Sequence, residues 1–533
     1  MTERIEIYDT TLRDGAQGEG VNFSAEDKCR VAEALDQLGV DFVEGGWPGS
    51  NPRDLAFFER ARALKLENAR LAAFGSTRRK NFSCADDPSV QALLRAETPV
   101  VTIFGKSWLL HVTDALRVSR EENLELIADT VRYLSERVPF LIYDAEHFFD
   151  GYRADPDYAL ATLRAAAEGG PHRVVLCDTN GGSLPEEVER VTREVASHVG
   201  VPLGIHCHND GDLAVANTLA AVRAGASHVQ GTVNGYGERC GNANLCSVVP
   251  NLELKMGHAV LRPGGLRKLS ETARLVSEIA NLAPDPSAAF VGASAFAHKG
   301  GVHVSAVERN PATYEHVAPE AVGNRRRVLI SDLAGRANLR AYARELGVEI
   351  KDERRVLDEL KRLEHDGYEF EAAEASFELL IRRLGGARLP YFELLGFRVI
   401  DEHRGALMPL SEATVKVKVG GAVEHVAASG NGPVNALDNA LRRALQNFYP
   451  AVTEMRLVDY KVRVITSSLS GTASLVRVLI TSSDRQAQWG TIGLSANIVE
   501  ASWRALVDSV EYKLTRDGAV PISAEAESDL MKA

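Results

Sequence analysis

Short apolar runs alternate with amphipathic stretches through the first half of the chain. Runs at 5–8, 40–45, 70–75, 100–104, 140–143, 173–177, 203–206 and 228–232 have the length and β-branched content of buried strands. Between them, apolar residues recur at helical spacing, as at 24–38, 53–64, 185–198 and 212–223. Ser24 and Gly39 read as the cap and the stop of the first of these helices. A further helix is expected at 244–256. Eight strand-then-helix units in about 255 residues match a (β/α)8 TIM barrel, and eight regular units favour closure over an open doubly wound sheet.

The rhythm stops near residue 256. The Pro-Gly-Gly at 263–265 opens a helical accessory region expected to run to about 395. Strand-like alternation returns at 413–419, 461–466 and 474–481, with helices expected at 434–448 and 498–514. The two helices have similar openings, which suggests a duplicated strand–strand–helix unit. The pattern therefore predicts a barrel at 1–262, helical subdomains at 263–403 and an α+β domain at 404–533, ending in a tail from 522.

Length and charge narrow the class. A chain of 533 residues is too long for one ordinary domain. Its net charge of −12, which no basic tract offsets, argues against a nucleic-acid binder. No apolar run is long enough to cross a bilayer, and the N-terminus lacks the shape of a signal peptide. The six scattered cysteines include no Cys-x-x-Cys pair and read as reduced thiols of a cytoplasmic protein.

The chemistry gathers at the strand C-termini, where such barrels keep their active sites. These ends carry Arg13 and Asp14, Glu44, Asp144 and Glu146, Asp178 and Thr179, His206 and His208, and Asn234, Glu238, Arg239 and Asn242. His206 and His208 share a strand face, as a pair of metal ligands would. One such acid or histidine is ordinarily structural. Their convergence on one rim points to a site.

Three segments, DTTLRDGAQ at 9–17, HCHND at 206–210 and GERCGNA at 237–243, resemble the 2-isopropylmalate, homocitrate and citramalate synthase family. Within it, DGAQGEG at 14–20 and YDAEHFFDG at 143–151 resemble the citramalate group. The resemblance implies a Claisen-type condensation of acetyl-CoA with a 2-oxo acid, pyruvate in that group, as the first step of a threonine-independent isoleucine route. It implies a divalent metal on Asp14, His206, His208 and Asn242, with Mn²⁺ or Mg²⁺ suiting the mixed donors and Zn²⁺ left open. Arg13 would stabilise the developing alkoxide, with a salt bridge to Glu44 as its structural alternative. Glu146 would position substrate or relay a proton, Thr179 would bind the oxo-acid carboxylate, and Gln17 would support the Arg13 loop. Asp144 and Asp178 are expected to orient ligands from behind.

His303 matches the family's general base and Tyr314 its companion, in an accessory subdomain that lies over the partner subunit's barrel in a homodimer. The basic run at 324–327 is a weak candidate for CoA phosphates against a solvated surface. Phe104, with Ile103, and Tyr143 are candidate walls of the oxo-acid pocket. The C-terminal module resembles a regulatory domain that binds the end-product amino acid, here isoleucine. Its pocket is expected at glycine-bearing turns, Gly430 to Gly432 and Gly490 to Gly493. The rivals are a 2-isopropylmalate synthase using 2-oxoisovalerate, a lyase barrel with the same metal loop, and a catalytically silent amino-acid sensor.

Overall fold

The computed structural model describes residues 4–329, 336–345, 350, 352–385, 391–402, 410–465 and 474–520. Two compact units emerge: Met1–Phe296 with Glu315–Arg326, and Ala297–Tyr314 with Arg327–Ala533. The expected boundary at residue 404 and the tail from 522 lie outside the described residues.

The first unit is a closed barrel of eight parallel strands in sequential order. They are β1 (Glu6–Asp9), β2 (Phe42–Gly46), β3 (Arg70–Ser76), β4 (Val100–Lys106), β5 (Phe140–Glu146), β6 (Arg173–Asp178), β7 (Leu203–Cys207) and β8 (His228–Gly231). β1 closes the barrel on β8, in register from Glu6 opposite His228 to Asp9 opposite Gly231. Alternate residues serve two cores. Tyr8, Phe42, Ala72, Val100, Ile142 and Val175 fill the barrel. Their neighbours Ile7, Val43, Val101, Leu141 and Val174 face the surrounding helices. Burial on both faces is why these strands read as continuous apolar runs.

Local signals set the helix ends. Ser24 and Asp27 form a reciprocal capping box before the helix Ala25–Leu38, and Gly39 ends it at φ +95°. The expected helix at 244–256 is instead Leu245–Pro250 followed by a π-turn at Asn251–Lys255. Pro250 has no N–H to donate, so the regular ladder cannot continue through it.

The second unit begins with a two-stranded parallel pair, β9 (Ala297–His298) with β10 (Arg327–Val328). Four helices follow the expectation of a helical region: Gly301–Arg309, Arg336–Glu345, Glu353–Asp366 and Glu374–Leu384. That region ends earlier than expected, because β11 (Glu393–Glu402) already belongs to the next sheet. A bulge between Leu394 and Gly396 breaks its alternation. β11 pairs antiparallel with β12 (Leu410–Val419), which pairs with β13 (Ala422–Gly430). β14 (Arg456–Ile465), β15 (Leu475–Ser483) and β16 (Gln488–Ser495) form a second antiparallel sheet.

Each sheet is followed by a helix that packs on it, Pro433–Leu445 and Ile498–Arg516. The duplicated unit is thus strand–strand–strand–helix, one strand more than expected. The edge strands keep large apolar side chains in solvent: Leu395 and Ile400 on β11, and Val458, Val462 and Val464 on β14.

Gly490 and Gly493 are not in a turn but inside β16. A Cβ on Gly490 would collide with the Ala372 carbonyl, and one on Gly493 with the Ala501 carbonyl. These glycines let neighbouring backbone approach the sheet closely. Gly430 ends β13 against the Ala436 amide, whereas Gly432 caps its helix with open space around it.

Candidate active site

Asp14 follows β1, His206 lies in β7 and His208 lies just beyond it. Asp14 Oδ2 is 3.6 Å from His206 Nε2 and 3.8 Å from His208 Nε2. All three are buried, and together they offer one donor atom each within 4.8 Å of one another. Two donors each about 2.0–2.2 Å from one ion lie at most about 4.4 Å apart, so the 3.6 and 3.8 Å separations leave room for an ion between them. A backbone bridge between His208 and Asn242 brings the amide alongside. Asn242 Nδ2 donates to Asp14 Oδ1 at 3.1 Å and to the Tyr236 carbonyl at 3.2 Å. Its Oδ1 is buried with no hydrogen-bond partner among the described residues. An orphaned amide oxygen beside a carboxylate and two imidazoles fits a divalent cation. Gly237, at φ +154°, permits this, since a Cβ there would strike Asn242 Nδ2.

The electrostatics prepare the donors. Burial lowers the His206 pKa and pushes that of His208 down to about 4, so both rings stay neutral with a lone pair to give. Burial raises the Asp14 carboxyl, but Arg13 and the two histidines outweigh it and hold it at about 2. His206 Nδ1 lies 3.0 Å from Gln230 Oε1, an acceptor, which puts the proton on Nδ1 and leaves Nε2 free. Gln230 Nε2 donates in turn to Asp144 Oδ1 at 3.1 Å. Burial and the nearby Glu44 raise the Asp144 carboxyl well above its usual range.

Arg13 is clamped on three sides. Its Nε donates to Glu44 Oε2 at 2.6 Å, its Nη1 to Asp14 Oδ2 at 3.2 Å, and its guanidinium lies 3.7 Å above the Phe74 ring centroid. Glu44 is itself held by Tyr8 Oη at 2.6 Å and by the Thr10 hydroxyl. The salt bridge to Glu44 is therefore real, and it aims the guanidinium at the cavity instead of removing it.

A cavity of about 210 Å³ spans this rim, with Asp14, His206, His208, Arg13, Gln17, Glu146, Thr179 and Phe104 in its lining. Glu146 is ion-paired with Lys106 across the β4 and β5 ends. The Thr179 hydroxyl accepts from the His147 amide at 2.9 Å, so its own proton remains to be given. Gln17 sits exposed at the lip.

Other expected residues point elsewhere. Tyr143 and Ile103 are fully buried outside the barrel, in the helix-facing core. Side chains alternate along a strand, so the residues next to them, Asp144 and Phe104, face the cavity instead. The Asp178 carboxylate bonds none of the four expected metal donors, although its backbone carbonyl accepts the His208 amide at 3.1 Å. It receives the Ser183 amide and hydroxyl and holds the loop after β6. In the basic run, Arg326 is taken by a two-pronged pair with Glu315, at 2.5 and 2.6 Å. His303 and Tyr314 belong to the second unit, where their rings stack at 4.2 Å.

Four residues that line or support this site were not read from the sequence. Gln230 lies opposite His206 in the β7–β8 register, so a polar residue inside an apolar run was the available signal. Trp47, Phe74 and Phe104 form an aromatic cluster, with centroids 5.6–5.9 Å apart, and the first two lack any motif. Lys106 is legible only through its ion pair.

The comparisons with known proteins follow the same three-part layout. The HMGL-like family matches residues 4–276, the homocitrate synthase post-HMGL domain-like family residues 290–367, and the LeuA allosteric (dimerisation) domain residues 371–514. An (R)-citramalate synthase of Geobacter sulfurreducens is 56% identical, over 96% of this chain and 97% of its own. The chain belongs to the (R)-citramalate synthase family. A second family member, from Aquifex aeolicus, is 55% identical over 97% of this chain and 99% of its own. A 2-isopropylmalate synthase of Methanocaldococcus jannaschii is 31% identical over 97% of this chain and 96% of its own. No helix among the described residues is long and apolar enough to cross a membrane.

Proposed function

We propose that the chain is a homodimeric, metal-dependent acyltransferase that condenses acetyl-CoA with pyruvate to give (R)-citramalate and CoA, the first step of an isoleucine route. The observation that carries this reading is the buried Asp14, His206, His208 and Asn242 donor set beside the clamped Arg13. The family membership and the higher identity to citramalate synthases than to the 2-isopropylmalate synthase favour pyruvate as the oxo acid. The intact donor set argues against a silent sensor.

A divalent ion, Mn²⁺ or Mg²⁺ with Zn²⁺ as the alternative, would be held by Asp14, His206, His208 and Asn242 Oδ1 and would supply Lewis-acid polarisation of the oxo acid. Thr179 donates its hydroxyl proton to the oxo-acid carboxylate. By the homodimer reading, His303, backed by Tyr314, serves the partner subunit's barrel and takes the methyl proton of acetyl-CoA there, and the resulting carbon nucleophile attacks the pyruvate ketone. Negative charge then gathers on the former ketone oxygen, where the Arg13 guanidinium stabilises it. Glu146, its charge balanced by Lys106, relays the proton that quenches this alkoxide. Water cleaves the thioester, releasing CoA and the second carboxylate. Phe104, with Trp47 and Phe74, bounds the space for the oxo-acid side chain.

In the C-terminal domain, isoleucine is the proposed effector, at the open turn around Gly430 and Gly432. A cytoplasmic location belongs to the same reading and accords with six free cysteines.

The test is thiol release from acetyl-CoA by the metal-loaded, full-length protein, with each oxo acid in turn. Turnover with pyruvate and little with 2-oxoisovalerate is expected. Equal or faster turnover of 2-oxoisovalerate would replace the assignment by 2-isopropylmalate synthase. No thiol release with any oxo acid would remove the activity altogether.

A further inference from the structure

Tyr8 stands among the residues that fill the barrel, and it alone in that cluster carries a hydroxyl. Phenylalanine would fill the same space, so the hydroxyl needs a reason of its own. Tyr8 Oη donates to Glu44 Oε1 at 2.6 Å and lies 2.8 Å from Thr102 Oγ1. Burial and the Glu44 charge push the Tyr8 hydroxyl well above its usual range, so the phenol keeps its one proton. That proton goes to the carboxylate, the stronger acceptor, and the Thr102 hydroxyl then donates to Tyr8 Oη. Thr102 is two residues before Phe104 on β4 and shares its parity. The hydroxyl chain therefore lies one layer beneath the cavity, joining β1 and β4 to Glu44 on β2.

Glu44 is fully buried, and its two oxygens have different partners. Oε2 takes Arg13 Nε at 2.6 Å and the Thr10 hydroxyl, whereas Oε1 takes only Tyr8 among the described residues. Thr10 Oγ1 in turn accepts the Asp14 amide at 3.3 Å, and Arg13 Nη1 returns to Asp14 Oδ2 at 3.2 Å. A closed ring thus ties the guanidinium to a metal donor, with Glu44 as one corner. A carboxylate held at one oxygen can turn about its last carbon–carbon bond. The Tyr8 contact at the other oxygen removes that freedom and gives Arg13 Nε one direction to point. Without it, Oε1 is a buried charged oxygen lacking a donor, and the Arg13 guanidinium beside it has further N–H groups to turn inward.

We propose that Tyr8 is a positioning residue for the condensation, fixing Arg13 through Glu44 at the angle from which the guanidinium meets the developing alkoxide. The proposal rests on the role given to Arg13 above, and it adds what holds that residue in its working orientation. Thr102 extends the support by one hydrogen bond.

The test combines Tyr8→Phe with Arg13→Lys in the full-length, metal-loaded protein. Tyr8→Phe keeps the ring and should lower kcat at least about tenfold, the size of one hydrogen bond to a charged group. The KM for both substrates and the affinity for Mn²⁺ should stay near wild type. In the Arg13→Lys background the same change should cost little more, because the aligned guanidinium is already gone. Thr102→Val should act in the direction of Tyr8→Phe, and Thr102→Ser, which keeps the hydroxyl, should restore the rate. Wild-type kcat in Tyr8→Phe, or an equal loss in both Arg13 backgrounds, would overturn the proposal and leave Tyr8 a packing residue. Modification of Arg13 by phenylglyoxal, read by mass spectrometry, needs no turnover. It should run at least about threefold faster in Tyr8→Phe, since the guanidinium is less firmly held. An unchanged modification rate would also overturn the proposal. Faster modification with no thiol release by the wild type would leave the positioning standing and remove only the activity.

Discussion

Gln230 holds His206 in one tautomer. The carboxamide oxygen takes the Nδ1 proton at 3.0 Å, and the amide end is anchored on Asp144 at 3.1 Å. Breaking this support should loosen the metal without touching a donor. Gln230→Leu is expected to weaken Mn²⁺ binding about 10–100-fold, the usual cost of losing a partner behind a metal-bound histidine. Gln230→Glu should retain most of the affinity, because it keeps an acceptor. Metal titration by calorimetry decides it, and an unaltered Gln230→Leu would reduce the residue to barrel filling.

Arg13 depends on geometry as much as charge. Lysine keeps the cation but cannot contact Glu44 and Asp14 while lying flat on Phe74. Arg13→Lys should therefore lower kcat by at least about tenfold. A variant with wild-type kcat would leave Arg13 a structural role only.

The aromatic cluster makes a prediction about substrate size. Each extra methylene in an apolar pocket is worth roughly 1–3 kcal/mol. Phe104→Ala or Phe74→Ala should raise kcat/KM for 2-oxoisovalerate relative to pyruvate by at least about tenfold. No change in the ratio in either variant would place the side-chain pocket elsewhere on the rim.

Asp9 gives a pH signature in stability. Burial outweighs the hydrogen bonds from the Thr11 amide and hydroxyl and raises its carboxyl from 3.8 to about 7. The folded state then holds a proton that the unfolded chain gives up. Its contribution is complete below about pH 4 and is lost as the pH rises through about 7. Asp9→Asn, neutral throughout, should flatten that part of the stability profile. Chemical denaturation of both proteins between pH 4 and 8 measures the difference, and parallel profiles would show that Asp9 does not titrate there.

Regulation is tested at the open turn. Isoleucine should inhibit full-length enzyme more than leucine or valine does, because a ligand shifts activity only by favouring one state. Gly432→Val should abolish that inhibition, since its surroundings are open and its backbone is extended. Inhibition that survives the substitution places the effector elsewhere.

The barrel was legible because its strands are buried on both faces and spell themselves as apolar runs. Ser24 and Gly39 mark a helix by side-chain and backbone chemistry that needs no tertiary context. β16 lacks such a continuous run. It is nearly all buried too, but Gly490, Thr491 and Gly493 interrupt its apolar run, and its glycines read as turn residues although they admit the Ala372 and Ala501 carbonyls. The pocket wall failed by one residue. Phe104 and Tyr143 are both bulky, but Tyr143 has the outward parity of its strand, and a shift of one position reverses a side chain's face. His206 and His208 were legible as a pair, while Gln230 became visible only when register set it beside His206.

Val458, Val462 and Val464 are exposed on β14, which pairs only with β15 among the described residues, and Leu395 and Ile400 are exposed on β11, which pairs there only with β12. Surface of this kind favours self-association, so folding and assembly share one equilibrium. Dilution should then lower the melting temperature of an otherwise unchanged sample. A thermal midpoint for this protein has meaning only with the protein concentration written beside it.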